Sequence, residues 1–223
     1  NRGTKTTLQD VYNAYQIRVT TPDALYSIFS DLIDNGVFSQ DPDELISLEE
    51  LIGGKVCVLN VENCAVDDKT RLAVVTLFLN RLNETMKANS GKAKYDETRN
   101  KRELQYVFLV DEADRVMRHK LENLERILRE GREYGVAMIL STQSIGDFSR
   151  ANGVDYSENV LTWVIHCVAQ FTAGFASQIG LPNLNQESRN RVLELDQHLA
   201  LFKAANSNDA TFIRGKKFFE RGN

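Results

Sequence analysis

The sequence is poor in the residues that build metal centres and disulfide scaffolds. Its three cysteines (Cys57, Cys64 and Cys167) and three histidines (His119, His166 and His198) stand at no metal-ligand spacing, and the odd cysteine count argues against a disulfide framework. A reducing, cytoplasmic setting fits this usage. No apolar run reaches the length of a membrane span and no signal peptide is visible, so no membrane partner is expected. The formal net charge of −4 and a pI near 5.5 exclude a global basic field, and any nucleic-acid contact has to use local patches. No glycine-rich dinucleotide loop and no nucleophile elbow is present, which speaks against a small-molecule enzyme on a doubly wound fold. The phosphate-binding pattern G-x-x-x-x-G-K-[ST] is also missing. Gly3-Thr4-Lys5 has no strand before it, and Gly53-Gly54-Lys55 precedes an apolar run instead of linking a strand to a helix.

What is present suffices for a folded α/β domain, alone or with a small appendage. The 223 residues are 42% hydrophobic and 26% charged, a globular and not a disordered balance. The most informative stretch is Tyr106 to Gln143. Tyr106, Val107, Phe108, Leu109 and Val110 form an apolar run too short for a helix, ending abruptly in Asp111 and Glu112, which predicts a buried strand with two carboxylates at its tip. Leu121, Leu124, Ile127, Leu128 and Tyr134 then recur at helical spacing, Gly135 is a stop, and Val136 to Leu140 is a second apolar run.

A strand, helix, strand unit of this length implies parallel pairing, which brings the carboxyl ends of both strands to one crevice. Asp111, Glu112, Ser141, Thr142 and Gln143 are expected there. In nucleotide hydrolases a strand-end Asp holds Mg²⁺ and a neighbouring Glu polarises the attacking water. A bare strand-end carboxylate pair also serves as a helix cap, so the pair alone does not decide the chemistry. Gly131 inside the helical pattern costs about 1 kcal/mol relative to Ala and points to close packing.

Elsewhere the pattern predicts helices. Leu8, Val11, Tyr12 and Tyr15 form one short apolar face. Thr21-Pro22-Asp23 opens a second helix, with Pro22 at its first position, and Gly36 ends it. Residues 1–54 thus read as a helical segment, and 55–223 as the α/β core. In that core Val56 to Val61 is expected as a central parallel strand, Asp67 to Ala88 as a long helix, and Lys87 to Glu103 as a loop that is either solvated or DNA-facing, the solvated reading being favoured. Val160 to Val168 reads as a strand, Phe171 to Ile179 and Asn185 to Leu195 as helices, and 197–204 with 210–214 as a closing hairpin.

Together, VFLVDEADRVM, LREGREYG and VAMILSTQS resemble, in order and spacing, the second half of the HerA/FtsK superfamily of hexameric DNA-pumping P-loop ATPases. The resemblance covers about Lys55 to Arg214. LQDVYNAY, TPDALYSIFSDLI and DDKTRLAVVTLFLNRL are similar to the DptH/DndH-like ATPase of phosphorothioation-dependent DNA restriction systems. The resemblance implies a RecA-like parallel-sheet fold, ATP and Mg²⁺ as cofactors, Asp111 as the Mg²⁺ partner acting through water, and Glu112 as the water-activating base. It further implies Gln143 as γ-phosphate sensor with Thr142 beside it, and Arg132 as a charge-stabilising arginine in cis or in trans. Double-stranded DNA would thread a homo-oligomeric, hexameric ring alongside other restriction subunits, in a translocase or helicase, with Arg115, Arg118 and Lys120 as candidate phosphate contacts. The missing phosphate-binding loop departs from the family. With the absent initial Met, it makes the chain an expected C-terminal fragment that does not hydrolyse ATP alone. The competing reading is a non-catalytic, ATPase-like scaffold for partner proteins in a DNA-processing complex.

Overall fold

Local capping decides where the first helices begin. In the computed structural model the Thr7 hydroxyl accepts from Asp10 N at 3.2 Å while Thr7 N donates to the Asp10 carboxylate at 2.9 Å, a reciprocal cap that starts α1 (Leu8–Gln16). The backbone hydrogen bond from Thr7 holds the Asp10 carboxyl below its usual range. Asp23 caps the next helix, α2 (Ala24–Asp34), by accepting from Tyr26 N at 2.9 Å, so Pro22 lies before the helix and not at its first position. Gly36, at φ +63°, donates to Ile33 O beyond the end of that helix. The structure describes residues 6–34, 36, 38–54, 56–61, 68–88, 93–98, 101–149 and 153–216. They divide into two compact units, 1–90 and 91–223.

In the first unit α2 packs on α1, and both α2 and α3 (Leu48–Ile52) pack on the long helix α4 (Asp68–Ala88). Tyr12 stacks against Tyr26 and Phe29, with ring centroids 5.3 and 6.2 Å away. Leu32, Val74, Leu79, Leu82 and Met86 are buried. The strand expected over Val56–Val61 is not formed. Its described residues carry no strand pairing, and Val56 and Val58 are 95% and 82% exposed. A strand exists only through a partner ladder, and this unit supplies none among its described residues. Glu62, Asn63 and Asp67, polar residues that follow this run in the sequence and were expected near the crevice, lie outside the described residues.

The second unit is mixed α/β. Residues expected to be only loop carry a short antiparallel hairpin, β1 (Tyr95–Asp96) with β2 (Lys101–Arg102). β3 (Tyr106–Val110) is followed by α5 (Asp114–Met117) and α6 (Glu122–Glu130). A 3₁₀ turn over Gly131–Tyr134 then leads into β4 (Val136–Leu140). The single expected crossover helix is therefore divided. β3 and β4 pair in parallel and in register, from Tyr106 opposite Val136 to Val110 opposite Leu140. This pair is the only parallel sheet among the described residues. Val107, Leu109 and Ile139 are half or more exposed on one face of it, while Leu124 and Ile127 of α6 are buried in the unit.

β5 (Trp163–Ile165), α7 (Ala173–Gln178), α8 (Gln186–Leu193), β6 (Leu199–Lys203) and β7 (Ala210–Arg214) complete the unit. Here β5, β6 and β7 form an antiparallel sheet. Thr172 and Asn185 cap α7 and α8. Trp163 stacks edge-on against Phe148 and Phe175, at 4.9 and 5.5 Å, and makes an aromatic core with Phe171. No described helix is long and apolar enough to cross a membrane.

Gly135 is the tightest point of the β3–β4 unit. It sits at φ +71°, and a Cβ there would stand 2.5 Å from Glu103 O. Gly135→Ala should therefore destabilise the protein by more than about 1 kcal/mol, through left-handed strain plus a backbone clash. Gly54→Ala has comparable strain at φ +65° but open space around it, and should cost less. Thermal unfolding of the two variants measures the difference.

Candidate functional site

The ends of β3 and β4 are joined beyond their ladder. Ser141 N donates to Val110 O at 3.0 Å, and Ala113 N donates to Ser141 O at 2.8 Å, so the turn carrying Asp111 and Glu112 is fastened to the turn carrying Thr142 and Gln143. A cavity of about 270 Å³ opens there, lined by Glu112, Asp114, Arg115, Arg118, Gln143 and Asp147. Asp111 is exposed beside it, and its Oδ1 accepts from Glu112 N at 3.1 Å. The Thr142 hydroxyl donates to Ser144 O at 2.8 Å, which directs that side chain into the following 3₁₀ turn, Ile145–Phe148.

Glu112 is held in the left-handed region at φ +47°, where a non-glycine residue is strained by about 1–2 kcal/mol. Its Oε2 is 2.8 Å from Arg115 Nη2, and Arg118 Nη2 is 2.6 Å from Asp114 Oδ2. Both arginines are well exposed, so such pairs contribute at most about 1 kcal/mol and open readily to a competing anion. Two of the three proposed DNA contacts thus point into the carboxylate cluster. Lys120, the third, is exposed, makes no ion pair with a described residue, and sits at φ +50°.

Arg132 is not brought to this cavity. It occupies the 3₁₀ turn before β4, and the five-residue strand Val136–Leu140 separates it from Gln143. At about 3.3 Å per residue that strand spans about 16 Å, more than a single side chain can bridge. Asp114 and Asp147, which line the cavity, were not singled out from the sequence. Asp114 follows Asp111 by three residues and carried that much signal, whereas Asp147 lies in a polar segment with no periodicity.

Among the described residues no three His, Cys, Asp or Glu side chains cluster closely enough to hold a metal. An exposed Asp111 still fits Mg²⁺, which takes one or two carboxylates and completes its shell with water and phosphate oxygens. A backbone cradle for a triphosphate is not found at this cavity among the described residues.

Residues 48–174, more than half of the sequence, match the type IV secretion-system coupling protein DNA-binding domain. The chain belongs to this family. The coupling-protein family is one of P-loop ATPases, and its match takes in α4, the β3–β4 unit and the whole cavity. Among solved structures, the coupling-protein chain is similar to VirB4 of Thermoanaerobacter pseudethanolicus, at 13% identity and a TM-score of 0.48, over 96% of this chain and 70% of that one. No curated protein matches the sequence.

Behind the cavity, the fully buried Tyr156 donates its hydroxyl to Met117 O, at 3.2 Å, at the end of α5. Burial, and secondarily Glu125, raises its pKa above the ordinary value of 10.0. A raised folded pKa gives stability that is complete below the unfolded value and is lost as pH rises through the folded one. Tyr156→Phe should lower stability near neutral pH by about 0.5–1.5 kcal/mol, because the hydroxyl's bond is lost and the Met117 carbonyl keeps only Lys120 N, at 3.3 Å, as a donor. It should also remove this residue's share of the alkaline loss above pH 10. Chemical denaturation of both proteins from pH 7 to 11 checks both effects.

Proposed function

We propose that the chain supplies the Walker B and sensor part of an ATP-driven DNA translocase with a RecA-like core. The observation that carries this reading is the in-register parallel pairing of β3 with β4, which delivers Glu112 and Gln143 to one cavity in a chain of the coupling-protein family. Asp111 then holds Mg²⁺ through water, and Glu112 polarises the attacking water. Gln143 reads the γ-phosphate, with Thr142 bracing its loop. ATP with Mg²⁺ supplies the phosphoryl group whose transfer drives the motor. Arg132 stands a strand length from the carboxylates, which favours action on the nucleotide of a neighbouring subunit in a homo-oligomeric, hexameric ring. Duplex DNA is contacted through its phosphates. Lys120 is available for this, whereas Arg115 and Arg118 become available only when their pairs with Glu112 and Asp114 open.

In the full-length protein, Glu112→Gln should cut DNA-stimulated ATP turnover by about 10²- to 10⁴-fold while ATP binding persists. Unchanged turnover would remove Glu112 from the chemistry. If neither protein hydrolyses ATP with or without duplex DNA, the scaffold reading takes its place. That reading draws on the lack of a triphosphate cradle at the cavity among the described residues.

The narrower role, a motor serving phosphorothioation-dependent restriction of foreign DNA, draws on the sequence of α1, α2 and α4. Under that role, cells lacking the protein lose restriction of unmodified incoming DNA. If restriction persists and DNA transfer fails, the motor serves transfer instead.

A further inference from the structure

The Arg115 guanidinium, a candidate contact for DNA phosphate, stands 2.8 Å from Oε2 of Glu112, the proposed base, across the start of α5. Among the described residues Arg115 and Glu112 are each other's single ion-pair partner. Arg118 is held more firmly. Its Nε donates to Asp114 O at 3.2 Å while its Nη2 lies 2.6 Å from Asp114 Oδ2, so two donors fasten it to its own turn. Of the two arginines at the cavity, Arg115 is therefore the one that a competing anion removes more easily, and its removal changes the surroundings of Glu112.

Both partners are open to solvent, with 67% and 45% of their side chains exposed, so an anion reaches the guanidinium without opening the fold. A pair this exposed biases its side chains by about two- to fivefold. A phosphodiester offers two acceptor oxygens to the planar fork, and a duplex presents many phosphates at once, so DNA competes well for the arginine. The backbone of Glu112 is held independently of the pair, since Ala113 N donates to Ser141 O at 2.8 Å. Loss of the pair thus frees the carboxylate and leaves its turn fastened to that of Gln143, which lines the same cavity. A general base has to stand within hydrogen-bond reach of the proton it takes, and a carboxylate tied along α5 is held by Arg115 instead of by a water.

We propose that Arg115 couples DNA contact to Glu112: a duplex phosphate takes over the guanidinium and releases the carboxylate to face its water. Arg115 is then a positioning residue that restrains the base until DNA is engaged. The proposal rests on the reading of Glu112 as the base and adds the regulation of that site.

Coupling of this kind is reciprocal, so whatever frees Arg115 from Glu112 has to tighten DNA binding. The first measurement is anisotropy of a short labelled duplex with the 223-residue chain, at fixed salt and without nucleotide, with circular dichroism as the check on folding. Glu112→Gln should tighten binding by about two- to fivefold, and the gain should vanish when Arg115 is already Ala. No gain, no binding of the duplex, or an equal gain in both backgrounds overturns the proposal, the last because it reports only general repulsion between a carboxylate and DNA. The second measurement is ATP turnover by the full-length protein. Arg115→Gln should raise the rate without DNA by about two- to fivefold and shrink the stimulation by duplex DNA by the same factor, with Arg115→Lys between it and the parent. A DNA-free rate that Arg115→Gln leaves unchanged makes Arg115 a plain DNA contact and overturns the coupling. Unchanged turnover in Glu112→Gln sinks the base and this proposal with it, whereas slow turnover in Glu112→Gln beside an additive binding cycle sinks the coupling alone.

Discussion

The parallel ladder between β3 and β4 is the constraint on which the rest of the second unit depends. Five in-register pairs fix the two strands relative to each other, and the bonds from Ser141 N to Val110 O and from Ala113 N to Ser141 O extend that fixity one step past the strands. Residues thirty-one positions apart in sequence, Glu112 and Gln143, are thereby made neighbours on stiff turns and not on free loops. In the proposed function stiffness matters, because a group that polarises water and a group that reads a phosphate would act together only at fixed separation. The strained backbone at Glu112 is compatible with this, since a left-handed glutamate persists only where the surrounding bonds over-determine it.

The same ladder separates two kinds of charge. At its carboxyl end lie Asp111, Glu112, Asp114 and Asp147, with Arg115 and Arg118 drawn into pairs with two of them. At its amino end lie Arg102 and Arg132, with Glu133 as the opposing carboxylate. A strand of five residues is long enough that the two ends do not serve the same bound group, yet short enough that one rigid element carries both. Tyr156 adds a third tie, from the loop after β4 back to the end of α5, so the helix bearing Asp114 and Arg115 is anchored at both ends.

Much of this was legible in the sequence because the signals were strong and local. The apolar run that ends in Asp111-Glu112 and the one that ends in Ser141-Thr142-Gln143 became β3 and β4 over their expected residues, and Gly135 stopped the crossover where the pattern placed it. The closing hairpin appeared where its turn was expected, and α7 and α8 formed within the two stretches read as helices. What failed was what depended on partners. Val56–Val61 has the composition of a buried strand, but pairing is a property of two segments, and none pairs with it among the described residues. The β1–β2 hairpin was hidden because two-residue strands rich in charge have no periodicity to read. The division of the crossover into α5, α6 and a 3₁₀ turn, and the pairing of Arg115 with Glu112, are likewise matters of geometry that spacing alone does not encode.

The central claim is that Glu112 and Gln143 act on one nucleotide because the ladder holds them together. Its most direct test is a double-mutant cycle on single-turnover ATP hydrolysis by the full-length protein, with Glu112→Gln, Gln143→Ala and the two combined. If both residues serve the same transition state, the double variant should be about as slow as Glu112→Gln alone, because groups acting as a unit are grossly non-additive. Losses that simply multiply would show that the two residues act independently, and would contradict the account.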